Sequence, residues 1–249
     1  MSFALTTRVP DRNRAWHRFR HSRLWRLLRR SAFLRSAFYL GLELYRSHRE
    51  PEDTTKDVVE HFFERPYPWG TDPGELERIS RQTHLLDDLR SGTKFPSALE
   101  IGCAEGVFTE MLAERCEVLV VADIAPTALA RTSRRREWGP HVRFQHWDLG
   151  RGPIDGRFDL IVASGVLDYF SRHRTFRRIR TKLVGALNPG GYLLLASSEH
   201  ENPVVRRAWW ARYVIRGARI HWFMGRHASL RVMEEFWAGD YLVTLCKRL

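Results

Sequence analysis

The chain has 249 residues, 43% of them hydrophobic, and a formal net charge of +12, which fits one large domain with an extension and a core of ordinary size. Its three cysteines, Cys103, Cys116 and Cys246, form no CxxC pair and no even framework, which points to a reducing compartment and away from a zinc site or a disulfide scaffold. No apolar run approaches the roughly 18 residues that a membrane span needs.

The charge is unevenly placed. Residues 1–50 hold twelve Arg against Asp11, Glu43 and Glu50, a net of +9, so the rest of the chain carries only +3. Residues 1–21 are basic and lack periodicity, and they read as a mobile arm. From 22 to 46 the pattern predicts a helix, with Arg23, Arg26 and Arg30 on one side and Leu24, Leu27, Leu28, Phe38 and Leu42 on another. Pro51 stops it. "KDVVEHFFE" is a short second helix, and the turn-rich "RPYPWGTDPG" follows. A third helix opens with Asp72 as N-cap and Pro73 in its first turn. Leu76, Ile79, Leu86 and Leu89 form its apolar stripe, and Ser91-Gly92 ends it.

Strands and helices then alternate. "SALEI" leads to the helix "EGVFTEMLAERC", and "EVLVVAD" leads to "PTALARTSRRREW". The strand "HVRFQHWD" follows. "FDLIVAS" leads to "RTFRRIRTKLVGAL", and "GYLLLAS" leads to "VVRRAWWARYVI". Strands so continuously apolar suit a parallel sheet covered on both faces. The last segment, "LRVMEEFWAGDYLVTLCKR", reads as a hairpin turning at Ala238-Gly239-Asp240. The expected fold is therefore α/β: a Rossmann-like, seven-stranded, mostly parallel sheet with an antiparallel C-terminal hairpin, preceded by N-terminal helices. The expected organisation is a basic arm with an amphipathic helix (1–50), a helical cap (51–95) and the α/β domain (96–249).

An open parallel sheet binds ligands beyond the C-terminal ends of its strands. The first turn there is Glu100-Ile101-Gly102-Cys103-Ala104-Glu105-Gly106. A dinucleotide fingerprint needs glycine at its first, third and sixth positions. Counting from Gly102, Ala104 and Val107 fail that test. A Walker A Gly-Lys-Ser/Thr is absent. Glu105 at the expected start of the helix also disfavours an anion.

The turn instead resembles the acid-x-Gly-x-Gly-x-Gly turn of class I S-adenosylmethionine-dependent methyltransferases, with Ala104 in place of the middle glycine. Asp123 ends the second strand, Asp148 ends the third, and "FDLIVASGVLDYF" and "LNPGGYLLLAS" follow the family's cadence. "YPWGTDPGELERI", "LEIGCAEGVFTEMLAERCE" and "DIAPTALARTSRR" are similar to the nodulation protein S-like branch. The resemblance implies S-adenosyl-L-methionine as cofactor, held by Glu100, Gly102, Ala104, Gly106 and Ser164. It implies Asp123 on the ribose hydroxyls and Asp148 on the adenine amino group. Removal of Asp123 is then expected to weaken cofactor binding without disturbing the fold. The resemblance also places Trp69 near the cofactor and Arg78 on its methionyl carboxylate, with Arg81 as the fallback. The bland alternatives are a core aromatic and a solvated cation.

Methyl transfer from a sulfonium depends on in-line positioning and exclusion of water, and an amine or hydroxyl acceptor can call for a base. Asp168 and His200, after the fourth and fifth strands, are the catalytic candidates. Asp168 reads equally as a substrate-orienting group or a helix N-cap, and His200 as a plain loop residue. Neither a Pro-Pro-Tyr turn nor a Pro-Cys nucleophile is present. No metal-spaced cluster stands near the fourth strand, so no metal is expected.

The branch implies an amine or hydroxyl acceptor on a small molecule or glycan: a natural product, a sugar or a lipid-linked precursor. The alternative is a nucleic-acid methyltransferase or binder, drawn from the Arg-rich arm and from "RRAWWARYVIRGARIHWFMGR". No RNA-recognition motif supports it, and Trp209, Trp210 and Tyr213 suit a lid over an acceptor pocket. The arm also suits an anionic membrane surface or a partner protein. The expected location is cytoplasmic, with peripheral membrane contact.

Overall fold

A computed structural model of the chain describes residues 60, 63, 73–170, 173–198 and 217–249. The arm, the helix over 22–46, most of the second helix, Trp69, His200 and the helix over 204–215 lie outside the described residues.

The first helix described from end to end is α1 (Pro73–Arg90). It is followed by β1 (Ala98–Ile101), α2 (Val107–Arg115), β2 (Leu119–Asp123), α3 (Pro126–Arg134) and β3 (Val142–His146). Then come β4 (Phe158–Ser164), a 3-10 turn (Leu167–Tyr169), α4 (His173–Ala186), β5 (Leu187–Ser198), α5 (Ala218–Gly225), β6 (Leu230–Ala238) and β7 (Tyr241–Arg248). The strands form one seven-stranded sheet in the order β3-β2-β1-β4-β5-β7-β6. β1 to β5 pair in parallel, and β7 runs antiparallel to both β5 and β6. The order reverses between β1 and β4, which opens a crevice at the C-terminal end of β1.

Each face of the sheet has its own core. Ile79 and Leu86 of α1, Phe108 and Leu112 of α2 and Ala128 of α3 pack on one face. Phe176, Ile179 and Leu183 of α4 and Ile220 and Met224 of α5 pack on the other. The central strands read apolar at successive positions because both of their faces are buried.

Four local expectations are corrected. β3 ends at His146, not Asp148, because the Asp148 carboxylate accepts the backbone N–H of Gly150 at 2.7 Å and turns the chain. α2 starts at Val107 behind a left-handed Gly106, so Glu105 lies in the turn and not in the helix. Asn188 to Gly191 sit inside β5, where the pairing with β4 jumps from Leu187 to Tyr192. Leu76 is 49% exposed rather than in the core. Sequence reading also missed α5 and the 3-10 turn, both of which are only one or two turns long.

A polar chain that starts from the buried His221 and Thr244 ties α5 to the hairpin. His221 Nδ1 lies 2.7 Å from Thr244 Oγ1, and that hydroxyl donates to Glu235 Oε2 at 3.0 Å. Burial pushes the His221 imidazole down to about 3. The unfolded chain binds this proton near the ordinary histidine value of about 6.5. Folding stability from this site is therefore complete above pH about 6.5 and is lost as pH falls towards 3. The stability difference between the wild type and His221→Gln should shrink by up to about 1.4 kcal/mol per pH unit across that window. Urea melts at several pH values check this, and parallel curves for the two proteins would contradict it.

Candidate functional site

The crevice beyond β1 opens into a cleft of about 1280 Å³, the solvent space at its mouth included. Arg78, Glu100, Gly102, Ala104, Asp123, Asp148 and Ser164 line it. They come from α1, β1 and its turn, the end of β2, the loop after β3 and the end of β4. The topology thus gathers residues far apart in the chain.

The turn after β1 is built by close contact. Gly102 has a φ of +80°, and a Cβ there would stand 2.3 Å from Val166 Cγ2. At Gly106, φ +78°, a Cβ would stand 2.6 Å from Thr132 Cγ2 of α3. Gly106 does not itself line the cleft, and its lack of a side chain serves the close packing of the turn against α3. Ala104 also takes a positive φ, 48°, at a cost of about 1–2 kcal/mol for a residue with a Cβ. Two bonds hold it there. Its N–H donates to Asp123 Oδ2 at 3.2 Å, and its carbonyl accepts from Thr132 Oγ1 at 3.0 Å.

Asp123 is buried at the end of β2. Its Oδ1 accepts the N–H of Ala125 at 2.8 Å, and Cys103 hydrogen-bonds the carboxylate as well. Burial raises its pKa, and the N–H groups of Ala125 and Ala104 oppose the rise. The expectation that Asp123 is dispensable for the fold is therefore corrected: removing it strands two backbone donors. Burial, foremost, also drives the Cys103 thiol upward, with the Asp123 charge adding to it.

Arg78 is only 6% exposed, which overturns the solvated-cation alternative. Its Nη1 donates to Ser164 Oγ, its Nε donates to Glu75 Oε2 at 3.2 Å, and its Nη2 pairs with Glu75 Oε1. Its guanidinium lies 4.6 Å from the centroid of the Tyr241 ring. Arg81 points elsewhere: it donates to the Trp237 carbonyl and lies over the Phe236 ring. Asp148 lines the cleft, with Arg151 Nε 3.6 Å from Oδ2. Glu105 also lines it, paired with Arg131 at 2.8 Å.

Asp168 lies in the 3-10 turn after β4. Its Oδ2 accepts the N–H of Ser198 at 3.1 Å, which straps the loop after β4 to the end of β5. It stands beside the cleft and not in its wall, while its neighbours Tyr169 and Phe170 do line it. Sequence reasoning missed several wall residues: Glu75, Leu76, Trp147, Phe170 and Tyr241. The buried Trp147 Nε1 has no hydrogen-bond partner among the described residues. Trp147, adjacent to Asp148, was within reach of sequence reading. Tyr241, from the far end of the chain, carried no signal. Among the described residues no group of three or more His, Cys, Asp or Glu could hold a metal ion.

Glu100 is 2% exposed, and its Oε2 is buried without a hydrogen-bond partner among the described residues. Burial, reinforced by the Asp123 charge, pushes its pKa up to about 8. The folded protein then holds this proton more tightly than the unfolded chain. The stabilisation is full below pH about 4.5 and fades as pH rises through 8. Glu100→Gln should flatten that decline, which reaches about 1.4 kcal/mol per pH unit. Thermal melts between pH 5 and 8.5 measure it, and an unchanged slope would contradict the burial argument.

A family model described as Nodulation protein S (NodS) matches residues 51–224. A nodulation protein S of Rhizobium tropici is 37% identical over 135 residues, 54% of this chain and 56% of that protein. One of Bradyrhizobium diazoefficiens is 34% identical over 150 residues, 60% of this chain and 71% of that protein. The aligned stretch thus spans little more than half the length of the Rhizobium tropici relative. The crystal structure of N-methyltransferase NodS from Bradyrhizobium japonicum WM9 in complex with S-adenosyl-L-homocysteine matches at TM-score 0.65 and 30% identity, covering 78% of this chain and 98% of that one. Magnesium protoporphyrin IX methyltransferase from Synechocystis PCC 6803 shares the fold at TM-score 0.61 and 12% identity. With the family model matching well over half of its residues, this chain belongs to the nodulation protein S family.

Proposed function

We propose that this protein is an S-adenosyl-L-methionine-dependent methyltransferase acting on an amine or hydroxyl of a small molecule or glycan. One observation carries the reading. The cleft brings Glu100, Asp123, Asp148 and Arg78 together, in a chain of the family whose Bradyrhizobium japonicum member binds S-adenosyl-L-homocysteine. The donor set suits that cofactor. The Glu100 oxygen that lacks a hydrogen-bond partner among the described residues suits an ammonium, whose charge favours the ionised carboxylate, the Asp123 carboxylate suits a vicinal diol, and Arg78 suits a carboxylate. Asp148, with Trp147 and Phe170 in the same wall, suits an adenine.

When bound, the cofactor supplies an electrophilic methyl group on a sulfonium. The residues of this chain hold it and keep water away. Glu75 and Ser164 fix the Arg78 guanidinium so that it meets a carboxylate in a single orientation. An acceptor amine must lose its proton before it can attack. Asp168 is our candidate to orient the acceptor or take that proton, because it stands one residue from the cleft wall on the loop after β4. His200 and Trp69 retain their assigned roles as proposals. The related N-methyltransferase favours nitrogen over oxygen as the acceptor atom.

We further read residues 51–95 as a cap and 96–249 as the catalytic domain. The net charge of +9 on residues 1–50 supports contact of the arm with an anionic membrane surface or a partner protein. The proposed location is cytoplasmic with peripheral membrane contact. Among the described residues no helix is long and apolar enough to cross a membrane.

Calorimetry tests the reading: S-adenosyl-L-homocysteine should bind and NAD should not. Asp123→Asn should weaken S-adenosyl-L-homocysteine by tens of fold, since charge-assisted hydrogen bonds are worth about 1.5–3 kcal/mol each. Asp123→Ala should in addition lower the melting temperature of the cofactor-free protein. Equal or tighter binding of NAD would end the methyltransferase reading.

A further inference from the structure

The two helices on the α4 face of the sheet carry a surface outside the cleft. Arg180 of α4 donates to the Phe223 carbonyl of α5 at 2.8 Å, and its guanidinium lies 4.1 Å from the Phe223 ring centroid. This contact locks the helices side by side. Arg177, Arg178 and Thr181 are exposed on α4, and Arg219, Trp222 and Arg226 are exposed along α5 and its end. Both sets follow helical spacing, so each helix turns one stripe outward. Neither helix contains an acidic residue. Among the helices described from end to end, the acids sit on the opposite side of the sheet: Glu75, Glu77, Asp87 and Asp88 on α1, and Glu110 and Glu114 on α2.

The positive field on this side is felt within the structure. His227, just past α5, has its pKa lowered by burial first and then by the charges of Arg180 and Arg248. Arg180 is itself lowered by burial and by Arg177. The acids on the adjoining strand are Glu234 and Glu235 of β6, and Glu235 accepts the bond from Thr244.

Trp222 stands in the middle of this stripe at 60% exposure. Val232, 46% exposed, packs beside Gly225 at the end of α5. An exposed indole flanked by arginines is disfavoured in water and favoured at a headgroup layer, where the ring is buried and the cations meet phosphates. Arg226 covers one face of the ring at 4.4 Å from its centroid, which makes the stripe a poorer stacking platform for nucleic-acid bases.

We propose that the α4–α5 face docks onto an anionic lipid bilayer, with Trp222 at headgroup level and Arg177, Arg178, Arg219 and Arg226 against lipid phosphates. This surface shares no residue with the basic arm or with the cleft wall. The full-length chain is tested by co-sedimentation with phosphatidylcholine vesicles, with and without phosphatidylglycerol, at low and high salt. Binding should require the anionic lipid and fall with salt. Arg177→Ala with Arg219→Ala should lower partitioning about twenty-five-fold, at roughly fivefold per arginine. Trp222→Ala should weaken binding while leaving its salt dependence intact. Both variants should keep the parent's circular dichroism spectrum and S-adenosyl-L-homocysteine affinity, so that lost vesicle binding reports the surface alone. Absence of any preference for anionic vesicles in the parent would overturn the proposal. So would a double variant that binds vesicles as tightly as the parent, or one that loses single-stranded RNA binding while its vesicle binding is unchanged.

Discussion

The cleft depends on one buried carboxylate. Asp123 ends β2, and its two oxygens take the N–H of Ala125, which opens the next helix, and the N–H of Ala104, which forms the turn after β1. A single side chain therefore sets the distance between the two adjacent strand ends. It also holds Ala104 in a left-handed conformation that its Cβ disfavours. The hydroxyl of Thr132 holds the same residue from the opposite direction. The methyl of that threonine is what a side chain at position 106 would strike. The glycines, the alanine and the carboxylate thus form one arrangement, and the shape of the cleft floor follows from it.

The same arrangement places two carboxylates, Glu100 and Asp123, in one buried region. Burial raises both pKa values, and the charge of Asp123 adds to the rise at Glu100. Backbone N–H groups keep Asp123 suited to its ionised form, while Glu100 has an oxygen without a partner among the described residues. Such a pair is receptive to positive charge. In the same cleft, Arg78 is held by Glu75 and Ser164 and stacks on Tyr241. The cleft therefore brings a fixed cation and buried carboxyl groups together, as a ligand that carries both an ammonium and a carboxylate requires.

Charge is also divided at the scale of the whole sheet. The helices on the α1–α2 face carry acids, and those on the α4–α5 face carry none. The apolar cores beneath them are comparable lists of aliphatic and aromatic side chains. Folding a two-faced sheet requires only those cores, so the outward residues of each helix were free to be set by other demands.

Much of this was legible in the chain. The alternation of apolar strands and amphipathic helices determined a parallel sheet, and "EEFWAGDYLV" determined its terminal hairpin, because periodicity and turn chemistry are local properties. The acid at each strand end marked Glu100 and Asp123, since a parallel sheet places those ends in a common crevice. The tertiary structure decided the rest. It chose Arg78 over Arg81, because only position 78 faces Ser164 across 86 residues of chain. It set Gly106 against Thr132 of α3, and moved Leu76 from the core to the cleft wall. It added Tyr241, which reaches the cleft only because the antiparallel β7 lies against β5. Contacts of this kind join residues with no relation in sequence, so no pattern within a single element can encode them.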